Sequence, residues 1–223
     1  MIAGVTTVVE TAQEPGLRER KKQRTRELIA DTALQHFLER GFDAVTVAEI
    51  AQAAEVDAKT IYNYFPSKPD LVYRRLEAFE TDLLNAVRER KPGESILTAF
   101  ADCVLGSQGM LADEDASGRL RALNEMITQS ETLLAHEQQV FARFTASLAA
   151  LIAAETGARE DDVLPWLAAH ALIGLHRSLV DYVRRRTLTG TPNVTLARGL
   201  RAQAKKALAS LEQGFADYGV KRR

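Results

Sequence analysis

Apolar residues recur three and four positions apart along most of the chain, the interval of helices packed on one side. Leu28, Ile29, Thr32, Ala33 and Phe37 share a face, and Gly41 offers a left-handed stop, so the spacing predicts a first helix over about 18–40. Val47, Ile50, Ala51 and Ala54 repeat the period over a much shorter run. Thr46 and Glu49 have capping-box spacing at its start. Asp57 caps a second short helix, because its carboxylate can accept from backbone N–H groups two or three residues on. Ile61 and Phe65 then face inward, while Ala58, Lys59, Tyr62 and Asn63 face outward. Ser67 and Asp70 make a third cap, with Pro69 tolerated in a first turn, and open a helix over about 68–90 that ends before Pro92-Gly93.

Further helices are predicted at about 94–108, 117–129 and 131–155. Gly106, Gly109 and the acidic turn Asp113-Glu114-Asp115 separate the first two, and Gly157 ends the third. Two long helices follow, at about 161–186 and 194–218, the first with acidic residues at its start and Arg184 to Arg186 at its end, as the helix dipole favours. Their apolar stripes are Leu164, Leu167, Ala171, Leu175, Leu179 and Val183 in one, and Leu196, Leu200, Ala204, Ala207, Leu211 and Phe215 in the other. Such stripes can pack on the chain's own core or pair with a second copy as a four-helix interface, and spacing does not choose between them. No alternating strand pattern exceeds a few residues, and no Asn-Gly hairpin dipeptide occurs, so the fold class is all-α.

Composition adds limits. At 223 residues the chain can bury one small and one larger core. Cys103 is the single cysteine, which excludes an intrachain disulfide and a multi-cysteine zinc site and points to a cytoplasmic setting. Residues 1–16 read as a disordered leader; their mildly apolar start lacks the basic opening of a signal peptide. No run approaches the ~20 apolar residues that span a bilayer, so no membrane partner is expected.

Net charge is −1, but Arg18, Arg20, Lys21, Lys22, Arg24 and Arg26 fall within nine residues, opposed only by Glu19. Such a run is either a solvated face or a grip on nucleic-acid phosphates. Beside two short, well-capped helices joined by a tight turn, the phosphate role gains weight, since that layout can set its second helix in a DNA major groove. An ordinary αα-corner in a helical core has the same capping pattern. If the groove reading holds, Lys59 and Asn63 suit base edges, Lys donating to guanine and Asn pairing with adenine. Ala58 offers contact to a thymine methyl, and Tyr62, Tyr64, Thr46 and Lys68 suit phosphates.

From about Arg18 to Leu71 the chain resembles the DNA-binding domain of TetR-family transcriptional regulators. The likeness rests on Ala33, Phe37, Arg40-Gly41-Phe42, Thr46-Val47, Ile50-Ala51, Ala54, Val56, Thr60-Ile61-Tyr62, Tyr64-Phe65 and Lys68, in order and without a gap. Three positions depart from the family's habit: Glu55 where the turn usually has Gly, Asp57 where Ser is usual, and Pro69 where an acidic residue is common. A carboxylate at Asp57 would repel phosphate. The resemblance implies a helix-turn-helix domain over 17–66 and a helical ligand-binding and dimerisation domain over 67–223. It implies a homodimer formed by the last two helices on palindromic or near-palindromic operator DNA; Arg18, Lys21, Lys22 and Arg24 of the basic run, with Thr60, complete the expected DNA-facing set. It also implies a repressor released by a small-molecule effector. Phe100, Cys103, Met126, Ile127, Phe141, Phe144, Trp166, His170 and His176 are the expected pocket, with Trp166 and His170 sharing a face; core packing explains the same spacing.

An enzyme is not expected. The chain has no Gly-x-Ser-x-Gly elbow, phosphate-binding glycine loop or His-Glu-x-x-His helix. Its four histidines lack metal-ligand spacing, and no cofactor is expected. The competing class is a helical protein-interaction module without operator specificity.

Overall fold

A computed structural model of the chain describes residues 16–106, 116–215 and 218–221. Nearly all of the predicted leader, and the acidic turn at 113–115, lie outside these residues. The described residues form nine α-helices and no strand: α1 (Leu17–Arg40), α2 (Val47–Ala53), α3 (Ala58–Tyr64), α4 (Asp70–Glu89), α5 (Ile96–Gly106), α6 (Ala116–Gln129), α7 (Glu131–Thr156), α8 (Leu164–Leu188) and α9 (Asn193–Phe215).

Local chemistry sets the boundaries. Gly41 follows α1 at φ 84°, and Gly157 ends α7 in the left-handed conformation that the missing Cβ permits. Ser130 caps α7, its hydroxyl accepting from the Leu133 N–H at 3.3 Å. Several starts differ from prediction, two of them beside a proline. Helix α4 begins at Asp70 rather than 68, with Pro69 as its N-cap and a turn over 67–70 closed by the Asp70 N–H on the Ser67 carbonyl at 3.2 Å. The Asp70 carboxylate still accepts from the Ser67 N–H at 2.7 Å and hydroxyl at 2.8 Å. Helix α8 begins at Leu164 rather than 161. Asp162 accepts from the Leu164 N–H at 2.9 Å, and Pro165 takes a first-turn place that needs no N–H.

Two apolar cores form. The larger joins Leu83 and Val87 of α4, Phe100 of α5, Phe144, Leu148 and Ile152 of α7, and Leu172 of α8. The smaller is built on Ile29, Ala33 and Phe37 of α1, Ile50 of α2, Ile61 of α3 and Phe65. It does not stop at residue 66: Leu71 and Tyr73 of α4, Ile127 of α6 and Leu133 of α7 complete it. Two polar ties fasten α4 to α7 beside this core. The Tyr73 hydroxyl donates to the Leu133 carbonyl at 2.8 Å, and His136 Nε2 lies 2.7 Å from Asp70 Oδ1. Helix α4 packs on α1, α5 and α7 and so belongs to both lobes. Among the described residues, no helix is long and apolar enough to cross a membrane.

Candidate nucleic-acid interface

The short helices α2 and α3 carry the cappings expected of them. Thr46 Oγ1 accepts from the Glu49 N–H at 3.2 Å, and Glu49 Oε2 accepts from the Thr46 N–H at 2.7 Å, closing the box. Arg40 donates to the other Glu49 oxygen at 2.7 Å and ties the end of α1 to the start of α2. These donors, the Thr46 N–H foremost and then the Arg40 guanidinium, lower the Glu49 carboxyl to about 2. The turn between the helices runs through Glu55 at φ 55°, a left-handed conformation that an L side chain occupies only at a cost. Asp57 Oδ1 then accepts from the Thr60 N–H at 2.6 Å and caps α3.

With Ile61 and Phe65 fully buried, α3 is held by one side only. Its other side is bare. Lys59 and Asn63 are exposed, and Tyr62 is 51% exposed although aromatic. Thr60 is half-buried, and Ala58 and Tyr64 rest partly on the small core. Thr46 is exposed. Lys68 is less free than its sequence position suggests: its ammonium sits 4.3 Å from the centroid of the Phe42 ring, and burial lowers its pKa. Arg18, Lys21 and Lys22 line a shallow depression with Thr25 and Tyr64, so the basic run meets the end of α3. Arg24 is exposed nearby. Arg26 turns away; it pairs with Glu77 at 3.3 Å and lies over Phe65. The surface that results is a short exposed rod flanked by cations, with fixed backbone geometry behind it. It can present side chains to base edges and neutralise phosphates beside them.

The second lobe holds a cavity of about 280 Å³ between α4, α6 and α8. Its walls are mainly apolar: Leu76 and Phe79 from α4, Leu120 and Leu123 from α6, Val180 and Val183 from α8. Of the nine residues expected at a pocket, Ile127 and His176 reach it. Phe100, Phe141 and Phe144 are buried in the large core, and Cys103 packs half-buried against it, its thiol pKa raised by burial. Met126 packs against the small core. Trp166 is 50% exposed, and it and His170 lie on the outer face of α8, their rings 6.0 Å apart. Shared helical spacing placed these residues on faces; it did not say which neighbour covers each face.

The cavity's polar residues have no sequence signature. Arg184 donates to both Glu137 oxygens, at 2.5 and 3.1 Å, across 47 positions of chain. The Arg184 Nε–H is buried without a hydrogen-bond partner. Asn124 Nδ2 donates to the Leu120 carbonyl at 3.0 Å. His176 stacks on Phe79 at 4.0 Å with the rings 6° apart, and burial lowers its pKa to about 4, so it is a neutral imidazole at pH 7. Arg75, exposed on α4, also borders the space. Among the described residues no cluster of metal-ligating side chains forms.

The stripes assigned to a partner subunit divide. Leu175, Leu179, Leu196, Leu200 and Ala204 are buried within the chain itself, and a second copy cannot reach them. Val183, Ala207, Leu211 and Phe215 pack partly against the large core. Leu164 and Leu167 remain 44% and 53% exposed, and Ala171 is half-buried. With Val163 and Trp166 they make an uncovered apolar patch on the first half of α8.

Residues 29–74 match the family described as bacterial regulatory proteins, tetR family, and residues 94–216 match the MftR C-terminal domain. The HTH-type transcriptional regulator TcmR of Streptomyces glaucescens is 33% identical over 156 residues, which is 68% of this chain and 69% of TcmR. The HTH-type transcriptional repressor KstR2 of Rhodococcus jostii is 41% identical over 116 residues, 48% of this chain and 56% of KstR2. Among solved structures, SmeT, the repressor of the Stenotrophomonas maltophilia multidrug efflux pump SmeDEF, has the same fold. Its TM-score is 0.52 at 20% identity, covering 87% of this chain and 91% of SmeT.

Proposed function

The chain belongs to the tetR family of bacterial regulatory proteins, DNA-binding transcription regulators rather than enzymes, and from that premise we propose that it is a repressor released from its operator by a small molecule. The bare outer side of α3 carries the reading. Lys59, Tyr62 and Asn63 project from a helix whose opposite side is fully committed to the core. A side chain aimed at a base edge discriminates only if the helix beneath it cannot rock, and the two caps and the buried Ile61 and Phe65 hold it.

The family's dimer fits the apolar patch of Val163, Leu164, Trp166 and Leu167, which a second copy would cover. Two copies would set two reading helices on a two-fold operator in the cytoplasm, about one turn of DNA or a multiple of it apart. The cavity is the effector site of this reading. Tyr73 and Ile127 belong both to its wall and to the core beneath the reading helices, so an occupant that shifts α4 or α6 shifts the floor of the DNA-binding lobe. Release requires that the occupant favour a conformer in which the two heads are wrongly spaced.

The test is binding of the full chain to duplexes enriched from a random pool, followed by fluorescence anisotropy. Lys59→Ala is expected to cost about 1–3 kcal/mol per half-site and to relax preference at one base pair in each. Lys22→Ala is expected to weaken all duplexes alike and to lower the salt slope by about two, one for each subunit. Equal affinity for enriched and random DNA would leave a helical protein-interaction module instead.

A further inference from the structure

We propose that the cavity between α4, α6 and α8 takes an organic anion with an apolar body, its acidic group held at the mouth by Arg75. This deepens the effector reading above and rests on it for the link to DNA, although binding itself can be measured without DNA.

Volume, lining and charge point to this class of ligand. The cavity's volume, about 280 Å³, equals the liquid share of roughly nine waters, and its lining is dominated by aliphatic side chains and Phe79. Water held there would have few partners, so apolar matter displaces it favourably. The ionisable groups facing the space from each helix can be set out in full. From α7 and α8 come Glu137 and Arg184, which cancel each other in a two-oxygen pair. From α8 comes His176, neutral at pH 7. Helix α4 supplies Tyr73, whose hydroxyl is spent on the Leu133 carbonyl, and Arg75. The wall therefore carries a net single positive charge, placed on a side chain that reaches solvent.

No unpaired carboxylate faces the interior, so a cationic ligand would enter with its charge uncompensated. A neutral apolar ligand would fill the body of the space but leave Arg75 idle. An anion with an apolar tail satisfies both parts.

The experiment uses the full-length protein and chain-matched probes: octanoate, decanoate and dodecanoate, with decan-1-ol and decylamine as controls, followed by calorimetry and thermal shift. The carboxylates are expected to bind and raise Tm, decan-1-ol to bind about tenfold more weakly than decanoate, and decylamine not at all. Arg75→Gln, at an exposed position, is expected to fold normally and to bring decanoate down to the affinity of decan-1-ol. Leu123→Trp, which fills the space, is expected to abolish binding of both. Binding of decylamine as tight as decanoate overturns the proposal. So does decanoate affinity unchanged by Arg75→Gln, or failure of every carboxylate to bind. Loss of the regulatory reading would show differently, as carboxylate binding that leaves affinity for enriched DNA unmoved.

Discussion

Asp57 sets two effects of one side chain against each other. Its carboxylate caps α3 through a 2.6 Å bond from the Thr60 N–H, and it also places a negative charge at the end of the helix proposed to approach DNA. Asp57→Ala removes both; Asp57→Asn keeps the acceptor and removes the charge. Helix α3 has seven residues, too few to stand without its cap and its core contacts. Loss of the cap in Asp57→Ala should cost about 1 kcal/mol of stability, within a range of roughly 0.5–2. Asn caps nearly as well as Asp, so Asp57→Asn should lose only the dipole contribution, about 0.3–1 kcal/mol.

For DNA the signs reverse. A phosphate about 7 Å from the carboxylate repels it by roughly 0.6 kcal/mol in water, so two subunits together give about 1.2 kcal/mol, or nearly tenfold in affinity. Asp57→Asn is therefore expected to bind enriched duplex more tightly than the natural chain at low salt, with the gain shrinking as the Debye length falls below the separation. Denaturant midpoints and anisotropy at two salt concentrations measure both quantities on the same samples. If Asp57→Asn binds no more tightly at low salt, or if Asp57→Ala is as stable as Asp57→Asn, the placement of this end against phosphate or the role of the cap is wrong.

Glu49 predicts an acid-sensitive entry to α2. Its folded pKa lies near 2, below the ordinary 4.5, so the unfolded chain binds a proton first. The stabilisation is therefore present above about 4.5 and lost as pH falls toward 2. The stability gap between the natural chain and Glu49→Gln, read from urea midpoints, should be full at pH 6 and narrow below 4.5; a gap constant from pH 6 to 3 would contradict the assignment. Glu55→Gly should relieve the left-handed strain at φ 55°. About 1–2 kcal/mol is recovered there, less the extra freedom of Gly in the unfolded chain, leaving a gain of about 0.5 kcal/mol. A loss greater than about 1 kcal/mol would show that the Glu55 side chain holds the turn.

The DNA-facing lobe was readable because its signals are local. Thr46, Glu49 and Asp57 cap through bonds three residues long, and a three-residue spacing is visible in any sequence. What spacing left open lies where the deciding contact is distant in sequence. Leu175 and Leu200 have the same helical spacing as Leu167, yet the large core covers the first two and leaves the third open. Glu137 and Arg184 meet across the bundle through no pattern that either helix displays. Trp166 and His170 do share a face, as their spacing says, but it is the outer one. Pro69 and Pro165 carried readable information about helix starts that the capping residues alone obscured.

The small core's dependence on Leu71, Tyr73, Ile127 and Leu133 bears on how such proteins are recombined. A reading head transplanted as residues 1–66 would arrive without four of the side chains that seat it, and a foreign acceptor would have to supply matching ones at the same heights. Chimaeras that exchange specificity should therefore retain the recipient's α1–α3 scaffold and transfer only the solvent-side residues of α3, leaving the seam undisturbed.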